Sequence, residues 1–189
     1  MNGCLLVCGP PCAGKSTLAQ LLAARYRWPL LAKDDYKDRV FHHLGGRDRD
    51  WSRRVSLLAW ELLIEEALRL LAHGVDCVLE GNFRAAQGAE LRARAVPGVQ
   101  FLEVRIVARA EVLLERYRAR ALSGTRHPGH VDLEALTEIE SELRAPSSPP
   151  EALGQLLEWN TDSSFDPSAL LPPLDAFARF SDPARGTRG

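Results

Sequence analysis

The sequence lacks any long apolar run, and this absence argues against a membrane-spanning helix, which needs about 20 such residues. It also lacks an excess of charge, since 24 Lys and Arg face 25 Asp and Glu for a net charge of −1. That balance disfavours the broadly basic surface of many nucleic-acid-binding proteins, although it leaves room for a local patch. Because the first strand is predicted immediately after Met1-Asn2, no signal peptide fits. We therefore expect a cytoplasmic protein with no membrane partner.

Cysteine is scarce, and no Cys-x-x-Cys pair occurs. The four cysteines are Cys4, Cys8, Cys12 and Cys77. Their spacing does not indicate a disulfide or zinc framework, so we expect reduced thiols. Cys12 lies inside a predicted phosphate loop, where a thiol is either an inert loop residue or a site of oxidation, and the inert role is the more typical.

The chain is long enough for one domain with a real core. It has 189 residues, 46% of them hydrophobic and 26% charged, which is ordinary for a globular protein. We predict a single domain over residues 1–180, with a lid at about 109–143 and a flexible tail at 181–189.

The most specific motif is Gly-x-x-x-x-Gly-Lys-Ser at residues 9–16, between an apolar run and a helical leucine pattern. This context of strand, glycine-rich loop and helix is the one that a P-loop requires. Its backbone N–H groups bind phosphate at a helix N-terminus, the lysine reaches the β- and γ-phosphates, and the serine hydroxyl ligates Mg²⁺. The predicted nucleotide-binding residues are Gly9, Pro10, Pro11, Cys12, Ala13, Gly14, Lys15, Ser16 and Thr17. Lys15 is also a predicted catalytic residue.

Strands alternate with helices along the whole chain. Strands are predicted at about residues 4–8, 28–32, 75–79, 100–107 and 155–159, and this alternation favours a parallel sheet with helices on both faces. The long apolar helix over 52–73 is expected to be buried around most of its circumference. In the fourth strand, Glu103 and Arg105 alternate with apolar residues, which predicts one less buried face. A helix is also predicted from Val131 to Leu143.

Acidic and polar residues follow the second and third strands, at the sheet edge where such folds bind ligands. Phosphoryl transfer to an alcohol needs a carboxylate to accept the proton, and we predict Asp34 for this role; helix capping is the alternative use of such acids. Lys37, three residues further on, is predicted to bind the acceptor. Glu80 is predicted to help hold Mg²⁺ with Ser16, although a plain strand-end glutamate is the alternative. The remaining predicted substrate contacts are Asp35, Glu80, Asn82 and Arg84.

An arginine-rich helix and loop follow the fourth strand. Arg116 and Arg120 are spaced i, i+4, and Arg126 comes in the loop beyond them. Such arginines neutralise phosphate charge in a transition state, and a solvated basic face is the alternative. We predict catalytic roles for Arg120 and Arg126 and nucleotide contacts for Arg116 and Thr161. His127 and His130 flank Pro-Gly, so we expect local hydrogen bonds and no zinc site.

With these residues together, the chain resembles P-loop kinases that phosphorylate hydroxyl groups, including polynucleotide 5′-hydroxyl kinases, chloramphenicol phosphotransferase and zeta-toxin kinases. It resembles more closely the bacterial proteins labelled AAA-family ATPases that share this core. The resemblance covers Leu5 to about Asp162. It implies a five-stranded sheet of order 2-3-1-4-5, Asp34 as the general base, and Arg120 and Arg126 as lid arginines. Lys37 replaces an arginine that contacts nucleic-acid phosphate in that family, which weakens a polynucleotide function because lysine lacks bidentate recognition.

These features support an ATP- and Mg²⁺-dependent kinase acting on a hydroxyl of a small molecule. A polynucleotide 5′-hydroxyl kinase is the second hypothesis, for which Trp51, Arg53 and Arg54 form the one available cluster. A nucleotide-binding switch with slow ATP hydrolysis is a third. ATP is favoured over GTP because no Asn-Lys-x-Asp motif occurs. The sequence carries no signal for the identity of the acceptor or for the oligomeric state.

Overall fold

The computed structural model describes residues 2–145 and 152–181, which form a parallel five-stranded sheet between two layers of helices. The strand order is β2-β3-β1-β4-β5, which confirms the predicted fold. The strands are β1 Gly3–Cys8, β2 Leu30–Ala32, β3 Cys77–Glu80, β4 Gln100–Val107 and β5 Gln155–Asn160. The helices are α1 Lys15–Tyr26, α2 Lys33–Leu44, α3 Arg49–Ala72, α4 Ala85–Arg94, α5 Ala110–Ser123, α6 Leu136–Arg144 and α7 Leu171–Ser181.

The central strand β1 divides the core into two layers. Alternate side chains of β1 point to opposite faces of the sheet. Leu5 and Val7 pack with α1 and α7 on one face, while Leu6 and Cys8 pack with α3 on the other. Because both faces are covered, β1 is apolar throughout and fully buried, as expected for an internal parallel strand.

The prediction that the long apolar helix is buried around most of its circumference is wrong. In α3 one side packs on the sheet, whereas Leu57, Leu58 and Leu62 are 63, 41 and 41% exposed. The helix packs on β2, β3, α2, α4 and the turn Pro128–His130, whereas Leu57 lines an open cleft. Its leucine content therefore exceeds what the core uses.

The predicted less buried face of β4 is also wrong. Glu103 and Arg105 are only 5 and 9% exposed. Their side chains pair with each other at 2.7 Å, and the Cys8 thiol donates to Glu103 at 3.0 Å. Burial and the Glu103 carboxylate raise the pKa of Cys8 to about 12, so this thiol stays protonated. The alternation of charge and apolar residues marks a buried ion pair rather than an exposed face.

The helix predicted from Val131 begins only at Leu136. Val131 has φ = 50°, a left-handed conformation that interrupts a helix, and it ends a 3-10 turn at Pro128–His130. Most of the predicted tail at 181–189 lies outside the described residues; α7 extends to Ser181. Within the described ranges, no helix is both long and apolar enough to cross a membrane.

Candidate active site

The P-loop connects β1 to α1 and exposes backbone amides at the start of the helix. Gly9 has φ = 143°, and a side chain there would collide with the carbonyl oxygen of Ile106. Gly14 is the residue before α1, with φ = 102°, and a Cβ on it would lie 2.6 Å from the Phe165 ring. Only glycine fits both positions. The first amides of α1 have no capping side chain from Gly14, so they are available to an anion.

Lys15, Ser16 and Glu80 lie together at the end of this loop. The Lys15 ammonium donates to the carbonyl oxygen of Pro10 at 2.8 Å, which curls the side chain back over the loop. Burial lowers the pKa of Lys15, although Glu80 and Asp34 oppose the shift. The Ser16 hydroxyl donates to Glu80 at 3.3 Å. Burial raises the pKa of Glu80, while Lys15 opposes this shift. The two adjacent oxygen ligands fit Mg²⁺, which prefers such hard donors.

Thr161 connects the end of β5 to the P-loop. Its hydroxyl donates to the carbonyl oxygen of Ala13 at 3.1 Å. Arg116 donates to the backbone oxygen of Thr161 at 2.6 Å and to its hydroxyl at 3.3 Å. Thr161 is 1% exposed, so it lies beneath the P-loop, and its hydrogen bonds hold both the loop and the Arg116 side chain in place.

Asp34 is the second residue of α2, which starts directly after β2. This position at the carboxyl end of the strand places its side chain in the same cleft. Arg126, from the loop after α5, donates to Asp34 and also to Asp132 at 2.8 Å. Lys33 lies 3.6 Å from the other Asp34 oxygen. Burial acts to raise the pKa of Asp34, but the charges of Arg126 and Lys33 outweigh it and hold that pKa well below its usual range. Asp34 is therefore an ionised carboxylate at neutral pH.

Arg120 has unused hydrogen-bonding capacity beside the P-loop. Its guanidinium lies 5.0 Å from the centre of the Tyr117 ring, and its Nε lies 3.6 Å from Asp132. This buried Nε has no hydrogen-bond partner among the described residues. A buried donor without a partner is costly, so an anion bound here would satisfy it.

These residues line one cleft of about 670 Å³. The structure brings most of the predicted side chains into its wall: Pro11, Cys12, Gly14, Lys15, Ser16, Thr17, Asp34, Lys37, Glu80, Asn82, Arg84, Arg116, Arg120 and Arg126. Gly9, Pro10, Ala13 and Thr161 support the loop without lining the cleft, and Asp35 is also absent from the wall. Of the proposed nucleic-acid cluster, Arg53 reaches the cleft, whereas Trp51 and Arg54 do not.

The part of the cleft away from the P-loop lies between α2, α3 and α6. Lys37 is 4% exposed and donates to Ser52 at 2.8 Å, and Lys33 donates to Ser56 at 2.5 Å. Burial and the neighbouring charge of Lys33 lower the pKa of Lys37 to about 7. Above these lysines, Glu138 of α6 accepts hydrogen bonds from both Arg49 and Arg53, each at 2.9 Å.

Sequence reasoning missed several of these residues. Arg49, Ser56, Trp60 and Glu138 lie far from any motif and give no sequence signal. Lys33 does have one, because it directly follows a strand, as Asp34 does. A second signal is composition: the chain has only three lysines, Lys15, Lys33 and Lys37, beside 21 arginines, and all three line this cleft.

The loop histidines and Arg84 have partners within the described residues. The Nδ1 of His127 accepts from the Gly129 amide at 3.1 Å, which is the predicted local hydrogen bond. His130 instead pairs with Asp38 of α2 at 2.5 Å, 92 residues away, so the prediction of a local partner is wrong for this side chain. Arg84, at the start of α4, pairs with Glu142 of α6 at 3.1 Å. That ion pair joins the start of α4 to α6.

The fold and the cleft define the class of this protein as a P-loop protein with the kinase architecture. A family model described as an AAA domain (AAA_33) matches residues 5–146, and the chain belongs to this AAA domain family. A candidate kinase from Chloroflexus aurantiacus J-10-fl is 34% identical, with a TM-score of 0.78 over 93% of this chain and 98% of that one. These matches confirm the resemblance to P-loop kinases that share this core.

Two more distant structures share the fold. A sugar kinase from Janibacter sp. HTCC2649 is 18% identical, with a TM-score of 0.51 over 96% of this chain and 92% of that one. A chain of the Pnkp1/Rnl/Hen1 RNA repair complex is 16% identical, with a TM-score of 0.52 over 82% of this chain and 50% of that one. The comparison with curated proteins gave no match.

Proposed function

We propose that this protein is an ATP- and Mg²⁺-dependent kinase that transfers the γ-phosphate to a hydroxyl of a small molecule. The observation that carries the proposal is the position of Asp34. This ionised carboxylate lies in the same cleft as the P-loop lysine, just after the edge strand β2. A protein that only hydrolyses ATP has no need of a base for an acceptor alcohol, whereas a kinase does.

The side chains divide into two sets with different tasks. Lys15 and the P-loop amides bind the phosphates, and Arg116, Arg120 and Arg126 stabilise the charge that develops on the transferred group. The oxygen of the acceptor hydroxyl bonds to the γ-phosphorus, and the bond between that phosphorus and the β–γ bridging oxygen breaks. Asp34 accepts the proton that the hydroxyl loses. Mg²⁺, held by Ser16 with Glu80, supplies further neutralisation of phosphate charge when bound.

Arg126 links binding to chemistry in this scheme. Its guanidinium joins Asp34 to Asp132, so it lies close to where the acceptor hydroxyl and the γ-phosphate must meet. A phosphate draws Arg126 away from Asp34, which weakens the charge that depresses the pKa of that carboxylate. Asp34 then becomes a better base at the time the transfer needs one.

We also propose that residues 1–180 act as one kinase domain and that residues 109–143 act as its lid. This segment comprises α5, the 3-10 turn and most of α6, and it contributes Arg116, Arg120, Arg126 and Glu138 to the cleft. Its contacts to the core include the pair of Arg84 with Glu142.

The test is phosphoryl transfer from γ-labelled ATP in Mg²⁺ to two acceptor pools. One pool contains nucleosides, sugars and hydroxylated antibiotics, and the other contains 5′-hydroxyl oligonucleotides. We expect label on a small molecule, and we expect Asp34→Asn to lower transfer by about 10²–10⁴-fold while ATP binding is kept. The matched control is Glu61→Gln, which removes an exposed carboxylate of α3 outside the cleft wall.

The other outcomes identify the alternatives. Label on the oligonucleotides contradicts the small-molecule proposal and supports a polynucleotide kinase. ATP hydrolysis that reaches no acceptor and is unchanged in Asp34→Asn supports a nucleotide-binding switch. Lys15→Ala abolishes turnover in every case, so it tests the P-loop alone.

A further inference from the structure

We propose that the acceptor carries an anionic group, a carboxylate or a phosphate monoester, and that Lys37 and Lys33 bind it beside the reacting hydroxyl. This inference rests on the proposed kinase function, because it names the class of acceptor for the same cleft. The geometry that carries it is a pair of lysine–serine contacts between two helices, the Lys37–Ser52 contact buried and the Lys33–Ser56 contact partly buried.

The lysines and serines form two parallel hydrogen bonds between α2 and α3. Lys33 and Lys37 are one helical turn apart on α2, and Ser56 and Ser52 are one turn apart on α3. Lys33 donates to Ser56 and Lys37 to Ser52, at 2.5 and 2.8 Å. Lys33, Lys37 and Ser56 line the cleft. An ammonium group has three donors, so further donors of both lysines remain for a ligand.

The positive charge of Lys37 is not balanced locally. Among the described residues, no carboxylate lies within 4.0 Å of its ammonium. The nearby acids already have other partners: Asp34 pairs with Arg126 and Lys33, and Glu138 pairs with Arg49 and Arg53. A side chain that is 4% exposed and lacks a counter-ion is destabilised, since an unpaired buried charge is costly. An anion in the cleft supplies the missing partner.

The spacing on α2 also limits the acceptor. Asp34 and Lys37 are three residues apart on one helix, so their Cβ atoms are about 5–6 Å apart. An acceptor whose hydroxyl reaches Asp34 and whose anionic group reaches Lys37 therefore carries the two groups a few bonds apart. A small hydroxy acid or a hydroxyalkyl phosphate has this shape.

The experiment uses the full chain labelled with ¹³C at lysine Cε. Because the protein has three lysines and all line the cleft, the spectrum contains three signals, from Lys15, Lys33 and Lys37. The probes are glycerate, glycerol 3-phosphate and glycerol, which share hydroxyl groups and differ in the anion. Lys37→Met assigns its signal, and Arg39→Gln removes an exposed charge of the same helix outside the cleft wall.

We expect glycerate, glycerol 3-phosphate or both to raise the titration midpoint of Lys37 by about 1–3 pH units, and glycerol to leave it unchanged. The anion that acts identifies a carboxylate or a phosphate as the bound group. Lys37→Met should weaken anion binding by about 10- to 100-fold, as loss of a charge-assisted hydrogen bond does, and Arg39→Gln by less than about 2-fold. If Lys37→Met does not fold, the titration of the wild-type chain still decides.

Three results overturn the inference. The first is a Lys37 signal that neither anion moves, including the case in which glycerol 3-phosphate moves only Lys15 by binding at the P-loop. The second is a shift of the Lys37 titration midpoint with glycerol that equals the shift with the anions. The third is phosphoryl transfer to glycerol as efficient as transfer to either anion, which supports the kinase function while removing the anionic acceptor. Conversely, an anion-dependent shift at Lys37 without transfer to any acceptor supports the anion site and counts against the kinase.

Discussion

At the scale of single residues, the cleft is organised by charges that depend on one another. Arg126 bridges Asp34 and Asp132, and Glu138 bridges Arg49 and Arg53. These bridges leave Lys37 a buried cation with no carboxylate within 4.0 Å among the described residues. Buried, unpaired groups of this kind often belong to functional sites, because a protein retains them at a cost in stability.

Lys37→Met should stabilise the free protein most at low pH. The pKa of Lys37 is lowered to about 7, mainly by burial and then by Lys33. A folded lysine with a depressed pKa binds fewer protons than the unfolded chain, so its penalty is complete below about pH 7 and declines as the pH rises. Denaturant unfolding of both proteins should therefore show a larger gain for the variant at about pH 6 than at about pH 9.

Other groups that face Lys37 act on the same titration, and they define the control. They are Lys33, Asp34, Arg49 and Arg126, and His130 has its pKa lowered to about 4, outside this window. Arg39→Gln, an exposed site on the same helix, should give no such pH dependence. A variant that is destabilised equally at both pH values would indicate that Lys37 serves chiefly to join α2 to α3 through Ser52.

At the scale of elements, α6 packs its apolar side on α5, through Ile139 and Tyr117, and ion pairs join it to α3 and α4. Glu138 joins it to α3, and Glu142 joins it to Arg84 at the start of α4. Only Ile139 of α6 is buried. Exposed ion pairs each contribute roughly 0–1 kcal/mol, so the contacts of α6 with α3 and α4 can open at little energetic cost. A lid that opens for substrate and product needs this property.

Glu138→Gln should therefore alter catalysis more than stability. The variant removes the contact of α6 with Arg49 and Arg53, so we expect a change in the free energy of unfolding below about 1 kcal/mol. We expect KM for the acceptor to change several-fold because the lid closes less well. Steady-state kinetics and denaturant unfolding measure the two effects.

Glu140→Gln is the matched control, since Glu140 also lies on α6 but pairs with Arg118 and Arg144 and does not line the cleft. Equal kinetic effects of the two variants would contradict a specific role for the Glu138 bridge.

At the scale of the whole molecule, a buried ion pair connects three strands of the sheet. Glu103 and Arg105 are neighbours on β4, and Glu103 also accepts hydrogen bonds from Cys8 of β1 and, at 3.4 Å, from the amide of Leu153 before β5. This carboxylate therefore links β4 to β1 and to the segment that leads into β5.

Glu103→Leu should destabilise the protein by about 1–3 kcal/mol, because the largely buried Arg105 loses its hydrogen bonds to this carboxylate. The matched control is Glu158→Gln on the edge strand β5, which is exposed and should change stability by less than about 0.5 kcal/mol. Equilibrium unfolding in denaturant measures both. Equal stability of Glu103→Leu and the wild type would show that the pair is replaceable by apolar packing.

The sequence by itself determined the features that depend on neighbouring residues. The P-loop, the order of strands and helices and the position of Asp34 at a strand end are local patterns, and the alternation of strands and helices predicts a parallel sheet covered on both faces. The strand order 2-3-1-4-5 came from the resemblance to P-loop kinases. Glu80 and the lid arginines were also predicted from their position along the chain, and the structure places them in the cleft.

Only the tertiary structure decided which distant groups meet. The contacts of Lys37 with Ser52 and of Glu138 with Arg49 join residues 15 and 89 positions apart. Periodicity gives the face of a helix but not what covers it, so the exposed leucines of α3 and the buried Glu103 were predicted wrongly. The left-handed Val131 has no sequence signal, because a β-branched residue rarely adopts that conformation. The charge balance in this part of the cleft arises from packing α2, α3 and α6 together, and burial, with the charge of Lys33, then lowers the pKa of Lys37.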